Sequence, residues 1–365
     1  MIQRDVMGCD FVVRLGEERR GSALRLLQLT DMQVIDSMQR RTPDRLRIDE
    51  INAWNPKNFD AQLGDHIRSL AAQTRPDLIF ITGDIIYGSF DDAGTTFRWF
   101  CRLMDSLCIP WAPVFGNHDN ESRRGVAWQC ARFEESEYCL FRRGSVSGNG
   151  NYSVGVAIGD ELVRVIHMLD SNGCRGSEDP AVIREKGIYP DQLGQISETT
   201  RRISEETGRT VPAFAAFHIP ISSFGDAELE KGYASEERRC YTIGVDVAAA
   251  DGDFGCNREG HTFSPIEVDG GFTDYLAEQH IEAVFVGHYH MINTCITWRG
   301  IRWVYGLKTG QYDYHTPGAL GGTLVTLEGG GFSVQHVPAL VPARNFPGDA
   351  RMFEGYFADS DAIKE

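Results

Sequence analysis

Short runs of aliphatic and β-branched residues recur along the chain, and each stops abruptly at polar or acidic residues. The clearest are "LRLLQLTD" (24–31), "DLIFITGD" (77–84), "WAPVFGNHD" (111–119), "LVRVIHMLDS" (162–171), "PAFAAFH" (212–218) and "IEAVFVGHYH" (281–290). Such runs predict strands. Helical spacing separates some of them. Phe59, Leu63, Ile67 and Leu70 follow Asn58, a residue suited to a helix N-cap, and Phe97, Phe100, Met104 and Leu107 repeat the spacing before the third run. Strands alternating with helices predict βαβ units and a sheet buried on both faces.

The pattern changes toward the C-terminus. "INTCITWRGIRWVYGLKTG" (292–310) and "GTLVTLEGGGFSVQHVP" (322–338) read as antiparallel strands joined by glycine-containing turns, so a mixed architecture with a second sheet is expected. Residues 222–270 show no regular pattern. An irregular stretch of this length is either a functional insertion or a surface excursion with no catalytic part. No internal repeat, coiled coil or low-complexity linker is visible. The chain, 1–365, is therefore expected to form one domain that carries this insertion and ends in antiparallel strands.

Composition narrows the class. A 365-residue chain that is 42% hydrophobic can build one large α/β core, and no run approaches the length of a membrane span. The opening stretch "MIQRDVMGCDFVVRLGEERRG" is broken by charge before a signal-peptide core can form, so the expected location is cytoplasmic. Nine cysteines without CxxC or regular spacing predict buried thiols rather than a disulfide framework. The formal charge of −16 argues against general binding of nucleic acid or an anionic membrane. It leaves a small phosphorylated substrate open, because bound metal ions reverse the local field inside a cleft.

Candidate chemistry gathers at the strand ends: Asp31 in "LTDMQ", Asp84 and Tyr87 in "GDIIYG", Asn117 and His118 in "GNHD", His218 in "FHIP", and His288 and His290 in "GHYH". Residues just beyond the carboxyl ends of strands in α/β folds converge on one crevice, so positions far apart in sequence can share a site. Carboxylate, phenol, amide and imidazole donors suit two hard or borderline cations better than one structural zinc. Glycines before Asp84, Asn117 and His288 fit turns where backbone approaches closely. His288 and His290, two residues apart, would point the same way on a strand.

These motifs, in this order, resemble the calcineurin-like metallophosphoesterase superfamily over roughly Leu24 to His290. The resemblance implies a four-layer αββα sandwich, two mixed β-sheets flanked by helices, and a centre of two metal ions. By motif, Asp84 would bridge the metals, Asn117, His218 and His288 would complete one position, and Asp31 and His290 would serve the other. His118 would act on the substrate. Many members carry a histidine two residues after the first aspartate, where this chain has Gln33. Tyr87, three residues after the bridging aspartate, matches the GDxxY pattern of the purple acid phosphatase branch, which lacks that histidine too. The resemblance therefore implies Fe(III) beside Tyr87, with Fe(II), Zn or Mn at the other position. Gln33 could donate its amide oxygen to a metal, bind substrate or do neither, and a supporting or spectator role is favoured.

The implied activity is hydrolysis of a phosphate ester, a monoester first, by metal-bound hydroxide with His118 protonating the leaving group. A phosphodiesterase on the same centre and a non-catalytic scaffold are the alternatives. The other histidines have ordinary readings: His66 and His280 on helices, His167 in a strand, His261 in the insertion and His336 near the C-terminus. His315 could border the cleft and Asp170 could be an acceptor behind a ligand, or both could simply hold loops. Oligomeric state is not legible.

Overall fold

The structure, a computed structural model, describes residues 1–43, 61–174, 177, 179–233, 252–259, 272–316 and 318–340. The expected cap Asn58, Phe59, His261 and much of the 222–270 insertion lie outside these residues. Two mixed sheets face each other with helices outside them, as expected. The first has five strands in the order β13-β12-β3-β4-β5, formed by β3 (Leu24–Leu29), β4 (Leu78–Thr82), β5 (Trp111–Val114), β12 (Gly321–Glu328) and β13 (Gly331–Pro338). Strands β3, β4 and β5 run parallel, while β12 and β13 join antiparallel beside β3.

The second sheet has eight strands in the order β1-β2-β6-β7-β8-β9-β11-β10. These are β1 (Ile2–Val6), β2 (Cys9–Leu15), β6 (Tyr152–Ile158), β7 (Glu161–Met168), β8 (Ala213–Ala216), β9 (Ile281–Val286), β10 (Cys295–Trp298) and β11 (Ile301–Tyr305). The run from β7 through β8 and β9 to β11 is parallel, and β10 closes it antiparallel. The late antiparallel segments thus divide between the sheets: β10 and β11 extend the larger one, while β12 and β13 complete the smaller.

Strand periodicity sorts the core into two layers. On β8, Phe214 and Ala216 face the other sheet, and Ala213, Ala215 and Phe217 face the outer helices. On β9, Ala283 and Phe285 alternate with Val284 and Val286 in the same way. Phe80 of β4 meets Phe285 edge-on, with ring centroids 5.2 Å apart, across the space between the sheets. Helices α1 (Ala61–Thr74), α2 (Thr95–Asp105), α3 (Val126–Glu135), α4 (Pro190–Thr207), α5 (Ser223–Glu230) and α6 (Phe272–Glu278) supply the outer layers. Among them, α1 packs on β3 and β12, α4 on β2, α5 on β10 and α6 on β9. No helix among the described residues is long and apolar enough to cross a membrane.

Three local readings change. Leu107 falls beyond the end of α2, whose C-cap is Ser106. His280 leaves the helix and sits with φ +58° in the turn into β9, where its backbone carbonyl accepts from Ala213. The N-terminal hairpin of β1 and β2 has no clear apolar run to announce it. It turns on Met7 and Gly8, φ +56° and +75°, the pair of positive values that suits a two-residue hairpin loop.

One polar residue ties the two sheets together beneath the strand ends. Gln28 of β3 is fully buried, and its amide nitrogen donates to Thr82 Oγ1 on β4, at 2.8 Å, and to the carbonyl of Val286 on β9, at 3.0 Å. An amide NH2 bonded to both layers helps fix their relative height. The carboxyl ends of β3, β4 and β9 are thereby held next to one another.

Candidate metal centre

Every strand-end residue singled out by sequence follows β3, β4, β5, β8 or β9 within four residues, except Tyr87, which lies on the loop after β4. The loops are held by backbone bonds as well as side chains. Asp31 N–H donates to the carbonyl of Gly83, Gln33 N–H to that of Asp84, and Gly287 N–H to that of His218. His288 N–H donates to both oxygens of Asp31 at 3.1 Å, and His118 N–H donates to Asp84 Oδ1 at 2.9 Å. Asp119, the last residue of "GNHD", accepts from Gly116 N at 2.7 Å and Ile86 N at 2.9 Å, clamping two loops at once. Burial, with the charge of Asp84 nearby, pushes the Asp119 carboxyl up to about 7.

Close approach explains the glycines. A Cβ on Gly83, φ +84°, would lie 2.7 Å from the nitrogen of Gly116, and one on Gly287 would lie 2.6 Å from Asp31 Oδ2. A Cβ on Gly116 would overlap the Asp84 carboxylate. Non-glycine residues here are also strained. Asp31, Gln33, Asp84, His288 and Asp313 have φ of +52°, +46°, +50°, +77° and +60°. Left-handed backbone at such residues costs on the order of 1 kcal/mol each and persists only where surrounding structure imposes it.

Two donor sets share Asp84. One donor atom each from Asp84, His218 and His288 lies within 4.8 Å of the others, and the same is true of Asp31, Asp84 and His290. His218 Nε2 stands 3.2 Å from Asp84 Oδ2 and 3.3 Å from His288 Nδ1. His290 Nε2 stands 3.5 Å from Asp31 Oδ1. Asp31, Asp84, His218 and His290 are all buried. His288 and His290 do not sit on a strand with a shared face, contrary to their spacing. The strand β9 ends at Val286, and the left-handed turn at His288 sends the two imidazoles to different sets.

Neighbouring carbonyls set the tautomers. His218 Nδ1 lies 2.8 Å from the carbonyl of Thr82, and His290 Nδ1 lies 3.0 Å from that of Tyr314. A carbonyl only accepts, so each Nδ1 carries the hydrogen and each neutral ring turns its Nε2 lone pair toward the carboxylates. Burial pushes His218 down, but the Asp84 carboxylate more than offsets it and carries the ring up to about 9. The opposing His288 is pushed down to about 3 by burial and by His218. A proton shared between His218 and Asp84 thus occupies the place for which a cation would compete.

The residues fit a metal pair. Two carboxylates and three imidazoles aim donor atoms at common points, and Asn117 Oδ1 is buried with no hydrogen-bond partner among the described residues. A buried acceptor without a donor is costly, and a cation supplies what it lacks. Tyr87 is buried beside the same loops. Its ring lies over the His118 imidazole at 4.2 Å between centroids and meets Phe90 edge-on at 5.3 Å. His118 Nδ1 is 3.0 Å from Glu121 Oε2. Burial would lower this imidazole, yet Glu121 and then Asp84 carry it up to about 9.

Sequence reasoning missed four neighbours. Lys308 is buried, and its Nζ donates to the carbonyl of Asp31 at 2.7 Å and to Gln33 Oε1 at 2.8 Å. Burial lowers its amine below the usual lysine range, against the pull of Asp31 and Asp313. Asp313 Oδ2 lies 3.7 Å from His290 Nδ1. Tyr314 stacks on His290 with centroids 4.2 Å apart, and its hydroxyl donates to Glu259, which burial pushes up to about 7.

Glu259 belongs to the insertion. Residues 252–259 run along β10 through bridges from Phe254 to Cys295 and from Asn257 to Ile292, so part of this stretch forms a wall of the centre. His315, with Nδ1 3.1 Å from the carbonyl of Asp313, lies in the loop between β11 and β12 with Asp313 and Tyr314. Asp170 instead accepts from the backbone of Asn149 and Asn172 and holds the loop after β7. One signal pointed to Lys308: "WVYGLKTG" is another strand end, and β11 runs parallel to β9 toward the same edge.

Comparison with known proteins agrees with this arrangement. The calcineurin-like phosphoesterase family model matches residues 24–291, and the chain belongs to that family. It is 27% identical over 285 residues to probable inactive purple acid phosphatase 29 of Arabidopsis thaliana, covering 70% of this chain and 64% of that protein. Against probable inactive purple acid phosphatase 28 of the same plant it is 26% identical, covering 82% of this chain and 73% of the relative. Phosphatase DCR2 of Saccharomyces cerevisiae is 24% identical over 68% of this chain, but only 42% of its own length is spanned. A dimetal phosphatase from Danio rerio shares the fold with a TM-score of 0.51 at 12% identity, covering 87% of this chain and 97% of that one.

Proposed function

We propose that the protein is a binuclear metal-dependent hydrolase of small phosphate esters, acting first on monoesters. The observation that carries this reading is the pair of donor sets that meet at Asp84. Asp84 would touch both cations. Asn117, His218 and His288 would hold one, and Asp31, Tyr87 and His290 the other. When bound, the cations supply Lewis acidity toward the phosphoryl oxygens and acidify the attacking water.

The chain's own part is to orient the ester and manage protons. His118, drawn upward by Glu121, would hold the proton that passes to the leaving oxygen. Its ring is braced by Tyr87 on one face, and Glu121 fixes the tautomer. The Tyr87 phenol favours Fe(III) at its end with Fe(II), Zn or Mn at the other.

Two relatives are named as inactive, which brings in the non-catalytic reading. Retention of both carboxylates, the amide and three imidazoles supports the enzyme, and nothing at the site favours a diester over a monoester. Element analysis of purified protein together with hydrolysis of an aryl phosphate and a bis-aryl phosphate tests the reading. Two metals per chain, visible absorption if tyrosinate binds Fe(III), and faster cleavage of the monoester are expected. Replacing His118 by Ala should lower kcat by roughly 100- to 10,000-fold with metals retained. Protein that takes up no metal on reconstitution supports the scaffold instead.

A further inference from the structure

Gln33 stands where many family members have a metal-binding imidazole, and its surroundings decide which end of its amide faces the centre. Lys308 Nζ lies 2.8 Å from one terminal atom of the side chain. An ammonium or amine hydrogen donates, and an amide nitrogen with two hydrogens does not accept, so that atom is the oxygen. The other terminal atom is therefore the NH2 group. It points at Asp84 Oδ2 from 3.4 Å, toward the carboxylate common to both donor sets.

The orientation is held from both sides. Gln33 is fully buried, its backbone N–H is bonded to the carbonyl of Asp84, and its φ is +46°. Lys308 is itself anchored on the carbonyl of Asp31. Turning the amide over would set its NH2 against a donor and its oxygen against a carboxylate, two repulsive contacts at once. The side chain is thus locked as a donor toward the centre and cannot offer its oxygen to a cation.

We propose that Gln33, locked by Lys308, is a substrate-positioning donor that hydrogen-bonds a phosphoryl oxygen. The proposal rests on the metal-centre reading. The NH2 group carries two hydrogens, and among the described residues its one acceptor is Asp84 Oδ2 at a long 3.4 Å, so it has a hydrogen left to donate. A phosphoryl oxygen brought to the centre would be a charged acceptor for it. Lys308 acts through Gln33 and is a positioning residue.

The experiment is calorimetric titration of inorganic phosphate into zinc-reconstituted parent, Q33L and K308M proteins, with metals per chain measured on each sample. Q33L is expected to bind phosphate roughly tenfold more weakly or worse, the size expected for losing a hydrogen bond to a charged oxygen, while keeping two metals. K308M, which frees the amide to rotate while leaving it in place, should weaken phosphate binding in the same direction and carries the test if Q33L does not fold. Unchanged phosphate affinity overturns the proposal. Loss of one metal in Q33L also overturns it, since the amide oxygen would then be a ligand. A parent that takes up no metal overturns this proposal and the metal-centre reading together.

Discussion

The two ends of the centre are built differently. The candidate end of Asp84, Asn117, His218 and His288 is made of residues that directly follow strands, and His218 is oriented by a strand carbonyl, that of Thr82. The end formed by Asp31 and His290 is lined by Gln33, Lys308, Asp313, Tyr314 and Glu259, contributed largely by loops and by the insertion. One end inherits its geometry from the sheets. The other depends on a packed wall of polar groups, so it should be the more easily tuned and the more easily disturbed.

The strongest way to break this comparison is at the shared residue. Asp84→Asn should remove metals from both ends and lower kcat/KM by on the order of a thousandfold or more, with element analysis showing fewer than one metal per chain. His218→Ala and His290→Ala should each lose one metal; retention of two by either would show that the ends are not separate. Next in size, Glu259→Gln should weaken metal affinity at the Asp31 end by roughly tenfold, the lower range for supporting groups, and leave the other end unaltered. Competition with a chelator, followed as two release phases, reads this directly.

The smallest effect concerns pH. Glu121 draws His118 upward from its ordinary value, so the acid form persists to higher pH and activity falls as pH rises through its pKa. Glu121→Gln removes one anion and lowers that pKa, so the alkaline limb of the kcat/KM profile should move to lower pH by about one unit. A profile that stays in place would detach His118 from the limb.

Sequence exposed the candidate ligands of both ends but not the wall around the second, for a physical reason. A ligand that directly follows an apolar strand carries its address with it, as Asp31, Asp84, Asn117, His218 and His288 do. Lys308 also follows a strand, but it reaches the centre because β11 lies next to β9, and Glu259 does so because residues 252–259 bridge to Cys295 and Ile292, facts of topology that no local pattern contains. His290 shows the same limit: spacing by two suggested one face, and a left-handed turn at His288 separated the pair. The two-sheet sandwich was readable because continuous apolar strands need cover on both sides. The N-terminal hairpin was not, since its first strand alternates with charge at the edge of a sheet.

The crowding of left-handed backbone at Asp31, Gln33, Asp84, His288 and Asp313 has a bearing on ion capture. Donors held in such conformations have little room to follow an ion of the wrong radius by relaxing outward. Discrimination among cations should then come as much from fixed spacing as from ligand chemistry, in the manner of a gauge rather than a net.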